Sequence, residues 1–256
     1  MDFRPKLVAF DLDGTLAQSK TRVSAHVGEL LTELMQKMPI AIMSGAAFHQ
    51  FEAQLLPALP EGTMLERLYL FPTNAAMGYR YESGAWTTVY DETLTPEERE
   101  KILSALHEAM SMTGFDVPPP QVWGERIEDR GAQITFSALG QKAPVEEKKK
   151  WDPTREKRMP LYKILVEKLP GFSVGLNATT SIDITHKGVN KAFGIRKLVE
   201  LTGVTVSEML YVGDALQEGG NDYVVVETGV RTCPVLSPEE TSKVIEDILG
   251  QHVLAA

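Results

Sequence analysis

A chain of 256 residues, 43% hydrophobic and 24% charged, has the composition of a globular protein with one large domain or two modest ones. Its formal net charge of −9 argues against nucleic-acid binding, which depends on a surplus of Lys and Arg. The single cysteine, Cys233, excludes an internal disulfide, no apolar run is long enough to span a bilayer, and the opening MDFRPK lacks the apolar stretch of a secretory signal, so a cytoplasmic protein with no membrane partner is expected.

In chain order, the first segment alternates strand and helix signals. KLVAF is a continuously apolar strand, as expected when both faces are covered. Residues 23–37 place Val23, Val27, Leu30, Leu31 and Leu34 on one helical stripe. PIAIM is a second buried strand, AAFHQFEAQL a helix and RLYLF a third strand, a βαβαβ series that predicts a mostly parallel sheet. GYRYESGAWTTVY reads as a hairpin turning at Ser83-Gly84.

The middle of the chain changes character. Thr95, Pro96 and Glu98 form a capping-box start to a helix whose apolar stripe is Ile102, Leu103, Leu106 and Met110. Strand-like runs follow near 122–129 and 132–139, then the charged stretch EEKKKWDPTREKR, read as a solvated loop and helix face. A helix near 153–168, bent or restarted at Pro160, precedes the strands FSVGLN and TSIDIT. From about residue 188 the α/β rhythm returns: helix KAFGIRKLVELTG, strand MLYVG, helix NDYVVVETG, strand VRTCPV and helix PEETSKVIEDIL. The expected fold is α/β: a Rossmann-like, mostly parallel core in two sequence pieces, residues 1–90 and 186–256, with an α+β cap, residues 91–185, inserted between them.

Three polar features end buried strands: Asp11 and Asp13 after LVAF, Ser44 after AIM, and Asp214 after LYVG. Ligands of open parallel sheets bind at such strand ends. Converging carboxylates need a counter-ion, and Mg²⁺ suits an oxygen-only site that keeps several waters. DLDG taken alone also fits a turn. A calcium loop starting at Asp11 is excluded, because its twelfth position is Arg22 rather than Glu. His186 beside a strand end has no partner spacing and reads as a structural or solvated residue.

DLDGTL resembles motif I of the haloacid dehalogenase (HAD) superfamily of phosphotransferases, IMSG its motif II, GVNKAFGI its motif III and YVGDALQEGGNDYVV its motif IV. The resemblance spans nearly the whole chain and is to subfamily IIB, the Cof-type and phosphomannomutase-like members with a type C2b cap. It implies Asp11 as nucleophile forming an aspartyl-phosphate and Asp13 as general acid and base. It also implies Mg²⁺ on Asp11, the Asp13 main-chain carbonyl and Asp214, with Ser44, Gly45 and Lys191 gripping the phosphoryl group. Asn221 and Asp222 would stand behind the metal and Lys191. Lys187 competes for the lysine role; Lys191 is preferred because it starts the expected helix.

Within the superfamily, the GGND ending of motif IV and the cap sequences EDRGAQITFSALG and TSIDI are similar to eukaryotic-type phosphomannomutases. That likeness implies Arg130, Ser181 and Asp183 as substrate contacts. Gln141 and Lys148 stand where the mutase pattern has further arginines, and Gln carries no charge while Lys lacks the planar fork. Ser44 also replaces the mutase glycine. These departures favour a sugar-phosphate phosphatase over the alternative, a phosphomannomutase interconverting mannose 6-phosphate and mannose 1-phosphate. A non-catalytic sugar-phosphate-binding protein is the second alternative. The expected partner is a small sugar phosphate, and the oligomeric state is left open, a homodimer being one option.

Overall fold

The computed structural model describes residues 3–19, 21–177 and 179–250. The chain divides into two compact units, one made of residues 1–91 and 191–256, the other of residues 92–190.

The first unit begins with β1 (Leu7–Asp11), α1 (Ala25–Lys37), β2 (Ile40–Met43), α2 (Phe48–Gln54), β3 (Leu68–Phe71) and the hairpin β4 (Met77–Glu82) and β5 (Ala85–Asp91). In α1 the Ser24 hydroxyl accepts from the Val27 N–H at 3.2 Å, satisfying one of the unpaired donors of the first turn. Ser83 and Gly84 turn the hairpin with φ of 52° and 87°, the pair of positive values that a two-residue turn between twisted strands requires.

The second unit contains α3 (Pro96–Thr113), β6 (Ile127–Asp129), β7 (Ile134–Ser137), α4 (Val145–Trp151), α5 (Met159–Lys168), β8 (Phe172–Asn177) and β9 (Ser181–His186). The capping box of α3 is formed in both directions, Glu98 N–H to Thr95 Oγ1 at 3.2 Å and Thr95 N–H to Glu98 Oε2 at 2.8 Å. Pro160 lies in the first turn of α5, where no helical N–H bond is lost, so the helix starts there rather than bending. The charged stretch supplies the short helix α4, with Glu146–Lys149 and Glu147–Lys150 pairs on its exposed side. The chain then re-enters the first unit with α6 (Lys191–Thr202), β10 (Met209–Gly213), α7 (Tyr223–Val226), β11 (Arg231–Pro234) and α8 (Pro238–Gly250). Residues 186–190, placed with the core by sequence, cluster with the second unit, because His186 closes β9 by pairing with Phe172.

The seven described strands of the first unit are ordered β11-β10-β1-β2-β3-β4-β5; the first five run parallel, and β4 and β5 are antiparallel. The parallel strands are apolar without alternation because both faces are covered. Val8, Phe10, Ile40 and Ile42 join the core that includes α1, while Leu7, Ala9, Ala41 and Met43 join the one that includes Ile195 and Leu198 of α6. Each of the larger of these buried side chains, the Val, Leu, Ile, Phe and Met, contributes roughly 1.5–3 kcal/mol. The second unit is a four-stranded antiparallel sheet, β6-β7-β9-β8. One face, with Ile134, Phe136, Ile182 and Ile184, packs on apolar residues of α3 and α5. The other carries a polar cross-strand row, Glu128, Thr135 and Asp183. Among the described residues, no helix is long and apolar enough to cross a membrane.

Candidate active site

The strand order brings the carboxyl ends of β10, β1 and β2 side by side, and with them Asp214, Asp11 and Ser44. Asp11 is 3% exposed. One of its oxygens, Oδ1, accepts from the Lys191 ammonium; the other, Oδ2, is buried with no hydrogen-bond partner. Lys191, the first residue of α6, is itself buried and also donates to Asp222 Oδ1 at 2.5 Å. Asp222 Oδ1 takes a second donor, the Tyr211 hydroxyl at 2.9 Å, while its Oδ2 is buried and without a partner.

Burial pushes the Asp11 carboxyl well above its usual range, against the pull of Lys191. Burial alone would lower the Lys191 ammonium, but Asp11 and Asp222 outweigh it and raise the pKa well above the ordinary value. Asp214 is pushed up to about 6, first by burial and then by Asp222. Carboxylate oxygens of Asp11, Asp214 and Asp222 lie within 4.8 Å of one another. Three carboxylates against one ammonium, with two buried oxygens lacking partners, form a donor set that fits a hard divalent cation. The backbone makes room for the Asp214 carboxylate. Gly14 has φ +97°, and a Cβ there would lie 2.3 Å from Asp214 Oδ2.

The carboxylate side chains that gather are therefore Asp11, Asp214 and Asp222. Asp13, expected to reach the metal through its main-chain carbonyl, sits half-buried in the turn after β1, bridged to Ala17. Asn221 is half-buried immediately before Asp222. Lys187 is exposed in the second unit, whereas Lys191 is buried against Asp11.

Ser44 is 2% exposed, and its hydroxyl oxygen accepts from the Ala46 N–H at 3.0 Å. The hydroxyl hydrogen meets no acceptor among the described residues. Gly45 follows it in the same loop. This loop is fastened to a turn that sequence reasoning missed. Thr73, Asn74 and Ala75, just after β3, have φ of 53°, 54° and 65°, three successive left-handed residues without a glycine. They are held by Thr73 N–H to Ala46 O and Asn74 N–H to Ser44 O, both 2.9 Å, and by the Tyr90 hydroxyl on Ala75 O at 2.9 Å. A conformation costing roughly 1–2 kcal/mol per residue persists only where its surroundings over-determine it. In PTNAA only Asn74, a residue that tolerates left-handed backbone, hints at it, since neither Gly nor a turn dipeptide is present.

The residues expected in the cap form their own cluster. The Arg130 side chain is 7% exposed and donates from Nε (2.9 Å) and Nη2 (2.6 Å) to Glu128 Oε2, with Nη2 also 3.2 Å from Gln141 Oε1. The Lys148 ammonium reaches the Gln141 main-chain oxygen at 3.4 Å. On β9, Asp183 accepts from Asn177 Nδ2 at 2.5 Å, and the Ser181 carbonyl accepts from Arg158 Nη1 at 2.6 Å. Glu128, Asn177 and Arg158 were not anticipated; the alternation of IEDR would have put Glu128 and Arg130 on one strand face. His186 takes a structural position, with Nε2 2.9 Å from Glu98 Oε2 and its ring stacked on Phe172.

A parallel sheet whose neighbouring strand ends present a buried Asp–Lys pair beside further carboxylates defines an enzyme, a HAD-type phosphotransferase. The solved structures agree on the fold. A haloacid dehalogenase-like hydrolase from Bacteroides thetaiotaomicron matches 96% of this chain and 100% of its own at TM-score 0.65 and 19% identity. A C-terminally truncated IMP-nucleotidase from Plasmodium falciparum matches 96% of this chain and 72% of its own at TM-score 0.72 and 16% identity. The family model described as eukaryotic phosphomannomutase matches residues 27–251, and the chain belongs to that family. The phosphomannomutase of Spinacia oleracea is 25% identical over 97% of this chain and 98% of its own length. That of Schizosaccharomyces pombe is 27% identical over 97% and 96%.

Proposed function

We propose that the protein transfers a phosphoryl group to and from a hexose phosphate through Asp11, and that it acts as a phosphomannomutase, interconverting mannose 6-phosphate and mannose 1-phosphate. The observation that carries phosphotransfer is the state of Asp11: one oxygen is held by Lys191, and the other is buried without a partner. The sequence alone favours a hydrolase, but family membership and the names of the relatives support the mutase reading more strongly.

In this reading Asp11 attacks phosphorus as the bond to the leaving oxygen breaks, and Asp13 gives that oxygen its proton. In the second half the incoming sugar hydroxyl attacks the aspartyl-phosphate, Asp13 takes its proton, and Asp11 is released. Lys191 and Ser44 bind the non-bridging oxygens as they gather charge. Mg²⁺, held by Asp11, the Asp13 carbonyl and Asp214, would neutralise charge on the transferring group. A hexose bisphosphate turns over between the two half-reactions so that each of its phosphates reaches Asp11 in turn, and Arg130 of the second unit has the planar fork suited to gripping a phosphate.

One observation favours a second reading, hydrolysis. The arginine of the cap cluster is already paired with Glu128, and its neighbours are Gln141 and Lys148 rather than further arginines. A weak hold on the second phosphate favours water as the acceptor. Incubation with Mg²⁺ and mannose 1-phosphate, with and without glucose 1,6-bisphosphate, separates the two. Bisphosphate-dependent mannose 6-phosphate without phosphate release is the mutase result; release without isomerisation replaces it with the phosphatase.

A further inference from the structure

We infer that Tyr211 is a positioning residue for the divalent cation, its hydroxyl fixing the Asp222 carboxylate so that Oδ2 is left to the metal. The inference rests on the metal-dependent phosphotransfer reading above and deepens it: Asp222 becomes a member of the cation's carboxylate set, and Tyr211 sets its orientation.

Tyr211 lies in the middle of β10 and is fully buried among Leu198, Val225 and other apolar side chains of one core. Packing alone does not call for its oxygen. A phenylalanine would fill the same space without bringing a hydroxyl that needs an acceptor out of water. That acceptor is Asp222 Oδ1, at 2.9 Å, on the same oxygen that takes the Lys191 ammonium at 2.5 Å. Two donors on one oxygen fix the carboxylate's rotation, and Oδ2 is left buried with no partner. Without the phenol, Asp222 would depend on Lys191 alone, which is shared with Asp11. The same strand makes a second accommodation two residues on. A Cβ at Gly213 would lie 2.4 Å from Asp222 Oδ2 and 2.8 Å from Tyr211 Cε1, so the glycine clears space for both groups. Asp222 is also one of the three residues whose carboxylates offer oxygens within 4.8 Å of one another, and a carboxylate there with one oxygen fixed by two donors and the other partnerless is a cation ligand prepared in advance.

The experiment is a calorimetric titration of Mg²⁺ into the substrate-free protein, comparing the parent, Tyr211→Phe and Val230→Ala. Val230 belongs to the same apolar core as Tyr211, so its truncation loosens packing without removing a bond to Asp222. Tyr211→Phe is expected to weaken Mg²⁺ binding about 10-fold, the size typical of losing a group behind a metal ligand. Val230→Ala should keep the parental dissociation constant despite a lower melting temperature. Turnover by Tyr211→Phe should recover at saturating Mg²⁺, which a packing defect would not do. Parental affinity in Tyr211→Phe, or equal weakening in Val230→Ala, overturns the inference. Absence of turnover on any sugar phosphate would instead overturn the function, leaving the Mg²⁺ titration to report on Tyr211 independently.

Discussion

Arg158 and Asp152 form an ion pair, Nε to Oδ2 at 2.8 Å, in which neither side chain is more than 1% exposed. Asp152 also accepts from the main-chain N–H groups of Lys157 and Arg158, and the Arg158 guanidinium bonds the carbonyls of Asn177 and Ser181. The pair thus ties the loop before α5 to both ends of the β8–β9 turn, whose strands carry Asn177 and Asp183. Removing one member leaves the other charge buried and uncompensated, so Asp152→Ala should cost about 3–5 kcal/mol. Denaturant unfolding measures this; a loss below about 1 kcal/mol would mean the pair does not hold the loop.

Asp11 carries the proposed chemistry at a cost in stability. Burial raises its pKa even with Lys191 alongside, so the ionised form is disfavoured in the folded chain. Asp11→Asn should abolish phosphoryl transfer, with a loss on the order of 10⁴-fold or more. The same change should raise the melting temperature of the metal-free protein, because a disfavoured buried charge is removed. Retained transfer in Asp11→Asn would assign the nucleophile elsewhere; an unchanged melting temperature would show that Lys191 fully offsets the burial.

What could be read from the sequence follows from the range of the interaction. The capping box of Thr95 and Glu98 is local, and it is present as read. Asp11, Ser44 and Asp214 were legible because each ends a buried strand, and the strand order then sets them side by side. Arg158 was not: it closes the run EEKKKWDPTREKR, whose composition reads as solvated, and only the fold reveals that its side chain is fully buried against Asp152. Tyr211 was equally hidden. A tyrosine in a buried strand looks like packing until the chain returns Asp222 to its hydroxyl. Hydrolase against mutase depended on reading Gln141 and Lys148 as departures, where the family match over most of the chain weighs the other way.

The left-handed turn at Thr73–Ala75 makes opposite predictions for stability and activity. Glycine adopts φ > 0 without the Cβ penalty, so Ala75→Gly should stabilise the fold by up to about 1 kcal/mol. It should also loosen the Ser44 loop fastened to that turn and lower turnover several-fold. Ala75→Val, a β-branched residue in a left-handed position, should destabilise instead. Melting temperature and kcat measured on both variants check this; a stabilised Ala75→Gly with parental kcat would leave the turn without a catalytic consequence.

Glu98 gives the second unit a specific acid sensitivity. Its carboxyl is held below the usual range first by the His186 imidazole and then by the Thr95 N–H. A carboxyl depressed in the folded state adds stability above its unfolded pKa, near 4.5, and loses it as pH falls through the lower folded value. Glu98→Gln should therefore be less stable than the parent at pH 7, by at most about 1 kcal/mol because the pair is near solvent, and the gap should close below pH 4.5. Added salt should narrow it at pH 7 as well. Unfolding of the two proteins across pH 3–7 tests the sign. A gap that persists at pH 3 would trace to lost cap geometry rather than to the carboxylate's charge.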